Sequence, residues 1–159
     1  MKKDNMLFLA PSDAKNTLLK CGVTNYVKFD EGDKAQIGDF ELEAVVADHS
    51  VPAIGLVVQR GGIAMYFSGD TEYHDRLCEL ADKKIDLMFI CINGKLGNMN
   101  VDEAVKLTER IAPRVGIPTH YGMFESNTED PQKYIARVQC GFELKYNTEY
   151  SVKEILAYV

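Results

Sequence analysis

A change of rhythm halfway along the chain limits its fold more than any other feature. Up to Phe67 the apolar segments come in pairs joined by tight turns. "AQIGDFELEAVVAD" reads as a hairpin around Gly38-Asp39, its second strand alternating Phe40, Leu42 and Ala44 against Glu41 and Glu43. "AIGLVVQ" and "IAMYF" form a second hairpin through Arg60-Gly61-Gly62. Beyond Phe67 the period changes. "EYHDRLCELADK" has helical spacing at Tyr73, Leu77 and Leu80, "IDLMFICI" is a continuous apolar strand, "VDEAVKLTERI" a helix, "VGIP" a strand and "DPQKYIARVQC" a helix. Antiparallel strands followed by strand and helix alternation predict a mixed sheet covered by helices, a layered α/β or α+β domain. Upstream, "MLFLA" predicts a short buried strand. Pro11 with Ser12 and Asp13 opens a helix that stops at Cys21-Gly22, and "YVKF" is a strand closed by the turn "DEGD".

Composition removes several classes of function. The 159 residues show no low-complexity linker or repeat, which predicts a single domain over 1–159; such a domain buries roughly two thirds of the surface its unfolded chain exposes. Eighteen basic and twenty-four acidic residues give a formal charge of −6, with no Lys and Arg cluster dense enough to follow a phosphate backbone, so nucleic acid is not an expected partner. Cys21, Cys78, Cys91 and Cys140 are far apart and form no C-x-x-C pair; each sits among apolar neighbours, the pattern of buried, reduced thiols in a cytoplasmic protein. No apolar run approaches the ~20 residues of a membrane helix, and the apolar segment of "MKKDNMLFLA" is too short for a signal peptide.

Against that background, polar residues at strand ends stand out. His49 follows a strand in "VVADHSVPAIG", Asp70 in "YFSGDTEY" and His120 in "GIPTHYGMF". In open sheets covered by helices, ligands bind in the crevice outside the strand ends, so side chains placed there converge. A histidine at one strand end reads equally as a hydrogen-bonded surface residue. Two imidazoles and a carboxylate together, each in a turn with Gly or Pro nearby, are the groups on which a divalent metal site draws. His74 falls inside a predicted helix and reads as an ordinary helix-face residue.

Read in order, "VVADHS", "YFSGDT" and "IPTHYGMF" resemble the later three metal-ligand motifs of the metallo-β-lactamase superfamily. "FSGDTEYHD", "INGKLGNMNVDEAVKL" and "IPTHYGMFESNTEDP" are similar, almost phrase by phrase, to the branch that contains the L-ascorbate-6-phosphate lactonases. The resemblance covers most of the chain. It implies an αββα sandwich, of which this chain would be the C-terminal part, and a binuclear site for zinc or manganese that hydrolyses its substrate with a metal-held hydroxide. Carried over by motif, His49 would bind one metal, His120 the other, and Asp70 would bridge both as the catalytic carboxylate. A bridging carboxylate must emerge from a rigid strand to hold two cations a few ångströms apart. The superfamily's first metal motif, H-x-H-x-D-H, supplies two ligands to each metal and does not occur here, where there are three histidines in all. The resemblance therefore implies a family member lacking its N-terminal section, with fewer than the three protein ligands per metal of a catalytic zinc site.

Two further expectations follow from that shortfall. Missing strands would leave part of an apolar sheet face uncovered, and a soluble monomer rarely exposes a patch beyond a few hundred Å²; a homo-oligomer or a partner chain carrying the missing half is the expected cover, unless the sandwich has repacked. The loop "NGKLGNMN" leads from a strand into a helix, where backbone N–H groups favour anions; the resemblance brings it close to the site, with Asn93, Lys95 and Tyr121 as candidate contacts to a small-molecule substrate. Asn98 reads either as part of that pocket or as the cap of the helix, and Tyr73 and Tyr121 either as substrate-orienting or as packed aromatics. Asp130 is the expected N-cap of the helix that follows it. Two functions then compete: a metal-dependent hydrolase of lactones or esters of sugar acids, phosphorylated or not, and a non-catalytic remnant or subunit.

Overall fold

The computed structural model describes residues 6–158. The strands are β1 (Phe8–Ala10), β2 (Tyr26–Lys28), β3 (Lys34–Ile37), β4 (Phe40–Val45), β5 (Gly55–Arg60), β6 (Ile63–Phe67), β7 (Leu87–Cys91) and β8 (Val115–Thr119). The α-helices are α1 (Lys15–Lys20), α2 (Val101–Ile111), α3 (Gln132–Ile135) and α4 (Val152–Leu156). Strands β1 and β2 pair in parallel, and β3 to β8 form one six-stranded sheet in sequence order. The two predicted hairpins are present, β3 against β4 and β5 against β6, and the sheet becomes parallel from β6 to β8. That switch coincides with the change of period in the sequence, because parallel neighbours need a crossover long enough to hold a helix.

Alternation along the strands gives the sheet two apolar faces. Val57 pairs with Tyr66 and Tyr66 with Met88, so these three share one face. Leu77, Leu80, Ala104, Leu107, Ile111 and Tyr134 cover it and complete the main core. On the other face Leu56, Phe67, Phe89 and Ile117 lie in line, with the Phe67 and Phe89 rings stacked at 4.5 Å. Ile155 of α4, together with Phe142, Leu144, Tyr150 and Leu156, closes this face over Leu87, Val115 and Ile117. Farther out, at the β3–β4 end, Ile37 and Phe40 remain exposed, and the Arg60 guanidinium lies 4.7 Å above the Phe40 ring. The C-terminal segment thus covers part of the apolar face that the sequence leaves open, and the outer hairpin stays bare.

Several elements depart from expectation for local physical reasons. Residues Asp75–Lys83 form a 3₁₀ helix, whose three residues per turn bury Leu77 and Leu80 on one side. His74 lies outside it and serves as its N-cap, Nδ1 accepting from the Arg76 N–H at 3.2 Å. The cap of α2 is Asn100, in a reciprocal capping box with Glu103, so Asn98 does not cap. The cap position of α3 is Pro131 and not Asp130, which lies one residue before it and accepts the Gln132 N–H at 2.9 Å, and α3 stops at Ile135. The chain then peels away so that Cys140 and Phe142 bond the backbone of Gly116 in β8. Of the four cysteines, Cys91 is buried, Cys78 and Cys140 are half-buried, and Cys21 is exposed because α1 buries none of its residues. Among the described residues no helix is long and apolar enough to cross a membrane.

Two buried tyrosines test this account of the core. Tyr134 Oη meets Thr108 Oγ1 at 2.8 Å, whereas Tyr66 Oη is buried without a partner. Tyr134→Phe is expected to lower stability by about 1 kcal/mol, and Tyr66→Phe to leave it unchanged or raise it, because an unpaired hydroxyl contributes only its desolvation cost. Urea unfolding of the two variants beside the wild type reads the difference.

Candidate metal centre

The sheet topology delivers the strand-end residues to one edge. Strands β6, β7 and β8 are parallel, and β4 runs with them because it is antiparallel to β5, itself antiparallel to β6. The C-terminal ends of all four therefore open on the same side, and the loops that follow carry His49, Asp70 and His120. Their side chains converge on the Asp70 carboxylate: His120 Nε2 lies 2.5 Å from Oδ1 and His49 Nε2 lies 3.9 Å from Oδ2. Each carboxylate oxygen faces a different imidazole. The His49 side chain is largely covered, at 11% exposure, while Asp70 at 41% and His120 at 43% stand open to solvent.

Two buried hydroxyls hold the Asp70 turn. Ser68 Oγ accepts the Cys91 N–H at 3.1 Å and donates to Gly69 O at 2.8 Å. Thr71 Oγ1 accepts the Asp48 N–H at 2.9 Å and donates to Glu72 O, and the Glu72 N–H returns to Asp48 O at 2.8 Å. The Thr71 carbonyl accepts the Met99 N–H at 2.9 Å and faces the Cys91 thiol at 3.5 Å. Three loops, 46–51, 68–72 and 93–99, are thereby fastened at one residue that the sequence reading passed over; its signal was a hydroxyl directly beside the candidate ligand. Burial pushes the Cys91 thiol above its ordinary value, so beneath Asp70 it sits as a neutral group.

The two histidines are positioned differently. His120 adopts φ +62°, in the left-handed region that side chains with a Cβ rarely enter. The turn around it is braced by the Gly122 N–H bonding Thr128 Oγ1 and by Tyr146, whose hydroxyl bonds Tyr121 O at 3.1 Å. His49 Nδ1 accepts the Val51 N–H at 3.4 Å, and its Nε2 is turned toward Asp70. Gly97 lies over the same ring: a Cβ there would come within 3.3 Å of His49 Cδ2 and 3.7 Å of Glu72 Oε1.

In kind these donors suit a metal, with two imidazoles turned to the two oxygens of one carboxylate. In number they fall short. Among the described residues no three His, Cys, Asp or Glu side chains are grouped so as to hold a metal ion. Of the candidate substrate contacts, Asn93 is buried and bonds Asn127 Oδ1 through Nδ2 at 2.7 Å, and exposed Lys95 reaches Ser126 O at 3.1 Å. Tyr121 packs against the main core and edge-on to Tyr146, and burial raises its hydroxyl above the ordinary tyrosine value. Tyr73 contacts Asp75 and Cys78 and lies under the Lys106 ammonium.

Comparison with known proteins bears on the family and the fold. The family described as Beta-lactamase superfamily domain matches residues 6–121. A UPF0173 metal-dependent hydrolase of Deinococcus radiodurans is 39% identical over 77 residues, which cover 48% of this chain and 34% of that protein. A UPF0173 protein of Pyrococcus furiosus is 29% identical over 120 residues, 74% of this chain and 55% of its own length. The chain thus spans about half the length, or less, of these relatives. Among solved structures, the metallo hydrolase Igni18 of Ignicoccus hospitalis superposes with a TM-score of 0.78 at 20% identity, over 91% of this chain and 68% of its own. An isothiocyanate hydrolase from Delia radicum gut bacteria superposes with a TM-score of 0.71 at 12% identity, over 91% of this chain and 66% of its own.

Substitutions at two positions probe the positioning. Thr71→Val keeps the shape and strands the Asp48 N–H, an expected loss of about 1–3 kcal/mol, whereas Thr71→Ser keeps the hydroxyl and should cost less. At position 120 both Asn and Val remove the imidazole, but Val tolerates a positive φ poorly, so His120→Val should be less stable than His120→Asn by about 1 kcal/mol. Thermal unfolding of the four variants measures both orders.

Proposed function

The chain belongs to the metallo-β-lactamase superfamily, and from that membership together with the site we propose that it works as a metal-dependent hydrolase of lactones or esters of sugar acids, with His49, Asp70 and His120 as metal ligands. One observation carries the reading: the Asp70 carboxylate presents one oxygen to His120 and the other to His49, as a ligand shared between two cations would. A zinc or manganese ion held there would supply Lewis acidity and a nucleophile at neutral pH. The chain's own contribution is to fix the carboxylate through Ser68 and Thr71 and to aim the imidazoles from rigid strand ends. Lys95, exposed on the 93–99 loop that Met99 ties to Thr71, would attract the carboxylate or phosphate of a sugar acid. The sequence similarity to the lactonase branch supports the lactone.

A second reading rests on the donor count: the chain is a subunit, or a remnant, whose site is complete only when another polypeptide brings the H-x-H-x-D-H segment. No three donors among the described residues meet on one ion, and a catalytic zinc needs three protein ligands with an open position. The assay is hydrolysis of L-gulono-1,4-lactone with zinc or manganese, run on the chain alone and with the N-terminal section of a UPF0173 relative. The first reading expects a metal-dependent rate for the chain alone that Asp70→Ala abolishes; the second expects a background rate for the chain alone and a metal-dependent rate in the mixture, lost in Asp70→Ala. A metal-dependent rate indifferent to Asp70→Ala refutes the proposed site, and no rate in either case leaves the remnant standing.

A further inference from the structure

Between β7 and α2 the chain forms a strap, residues 93–99, closed by the Gly94 N–H bonding Met99 O at 2.9 Å. Two of its side chains carry amide oxygens that are buried and meet no donor among the described residues, Asn93 Oδ1 and Asn98 Oδ1. Asn93 is 3% and Asn98 8% exposed. Buried acceptors in folded proteins are nearly always paired, so each of these points to a donor that meets it in use. Asn93 Nδ2 donates to Asn127 Oδ1 and leaves the carbonyl over.

Placement ties these oxygens to the site. Beyond the paired level Phe67–Phe89–Ile117, Asp70 and His120 stand equally far along the two flanking strands, and Asn93 one residue farther along the strand between them. Asn98 lies between Gly97, whose backbone rests on His49, and Met99, bonded to Thr71 O. Asp70 and Glu72, on the loop to which Met99 is tied, are acceptors as well, so the ligand that fits must bring donors. The Lys95 ammonium on the same strap opposes a cationic ligand, which leaves neutral donors, and hydroxyls are the ones that a sugar acid carries. Lifting the crest of the strap would break its ties to the facing loop, Asn93 to Asn127 and Lys95 to Ser126, and leave its base bonded from Met99 to Thr71; Gly94 and Gly97, with positive φ, flank that crest at Leu96.

We propose that Asn93 and Asn98 select a hydroxylated ligand for this site, their side-chain oxygens accepting hydrogen bonds from ligand hydroxyls once the strap lifts. This rests on the sugar-acid reading of the site and adds the residues that discriminate. The test is binding to the ¹⁵N-labelled chain, followed by NMR, of D-gluconate and of hexanoate, which share a carbon skeleton and a carboxylate and differ in the hydroxyls. Gluconate should bind more tightly than hexanoate and shift the amide signals of the strap. Asn93→Ala and Asn98→Ala should each weaken gluconate by about tenfold, the equivalent of one well-made hydrogen bond, and leave hexanoate unchanged. Asn98→Ala preserves the Asn93–Asn127 bond, so it remains informative if Asn93→Ala unfolds. Equal affinity for the two acids, as when bound water satisfies both oxygens, or variants that bind gluconate like the wild type, overturns the proposal. Because no catalysis is measured, failure of lactone hydrolysis would refute the sugar-acid hydrolase and leave this result to stand by itself.

Discussion

The hydroxyl of Thr71 joins the loop carrying His49 to the turn carrying Asp70. It is fully buried and accepts from Asp48 while donating to Glu72, and the Glu72 N–H doubles the tie at Asp48 O. The carbonyl of the same residue holds the strap at Met99. Loops that follow strands are ordinarily the most mobile parts of a sheet protein, and a metal site tolerates little displacement of its ligands. Buried side-chain to backbone hydrogen bonds give these loops a fixed relation that no apolar contact provides. The strands beneath supply the rest: three parallel neighbours and β4 end at one edge, and each delivers a polar residue just beyond its last ladder bond.

Much of this was legible in the sequence. The hairpins at Gly38-Asp39 and Gly61-Gly62, the continuous strand "IDLMFICI" and the helix after Asn100 followed from periodicity and turn residues, and the convergence of His49, Asp70 and His120 followed from their places past strand ends. What was not legible depends on contacts distant in sequence. Nothing in "EYHDRLCELADK" distinguishes a 3₁₀ helix capped by His74 from an α-helix containing it. Asn98 and Asn100 are both plausible caps by type, and only the fold of the strap buries the first and frees the second. Thr71 resembled any polar residue of a turn until its partners at Asp48 and Met99 were known.

Family and donor set pull in different directions, and the structure explains why both hold. The match to the Beta-lactamase superfamily domain runs from residue 6 to residue 121 and so includes all three candidate ligands. The carboxylate between two imidazoles is a coherent fragment of a metal site, yet neither histidine brings a companion donor with it. The geometry of His49 is compatible with that fragment: Nδ1 meets the Val51 N–H at 3.4 Å, and Nε2 faces the Asp70 carboxylate at 3.9 Å.

Calorimetric titration of zinc and of manganese into the purified chain, and into Asp70→Ala, tests the central claim directly. The account expects weak binding of at most one ion per chain, lost in Asp70→Ala, because Asp70 is the one ligand that both histidines face. Two tight sites in the wild type, or binding that survives the removal of Asp70, would contradict it.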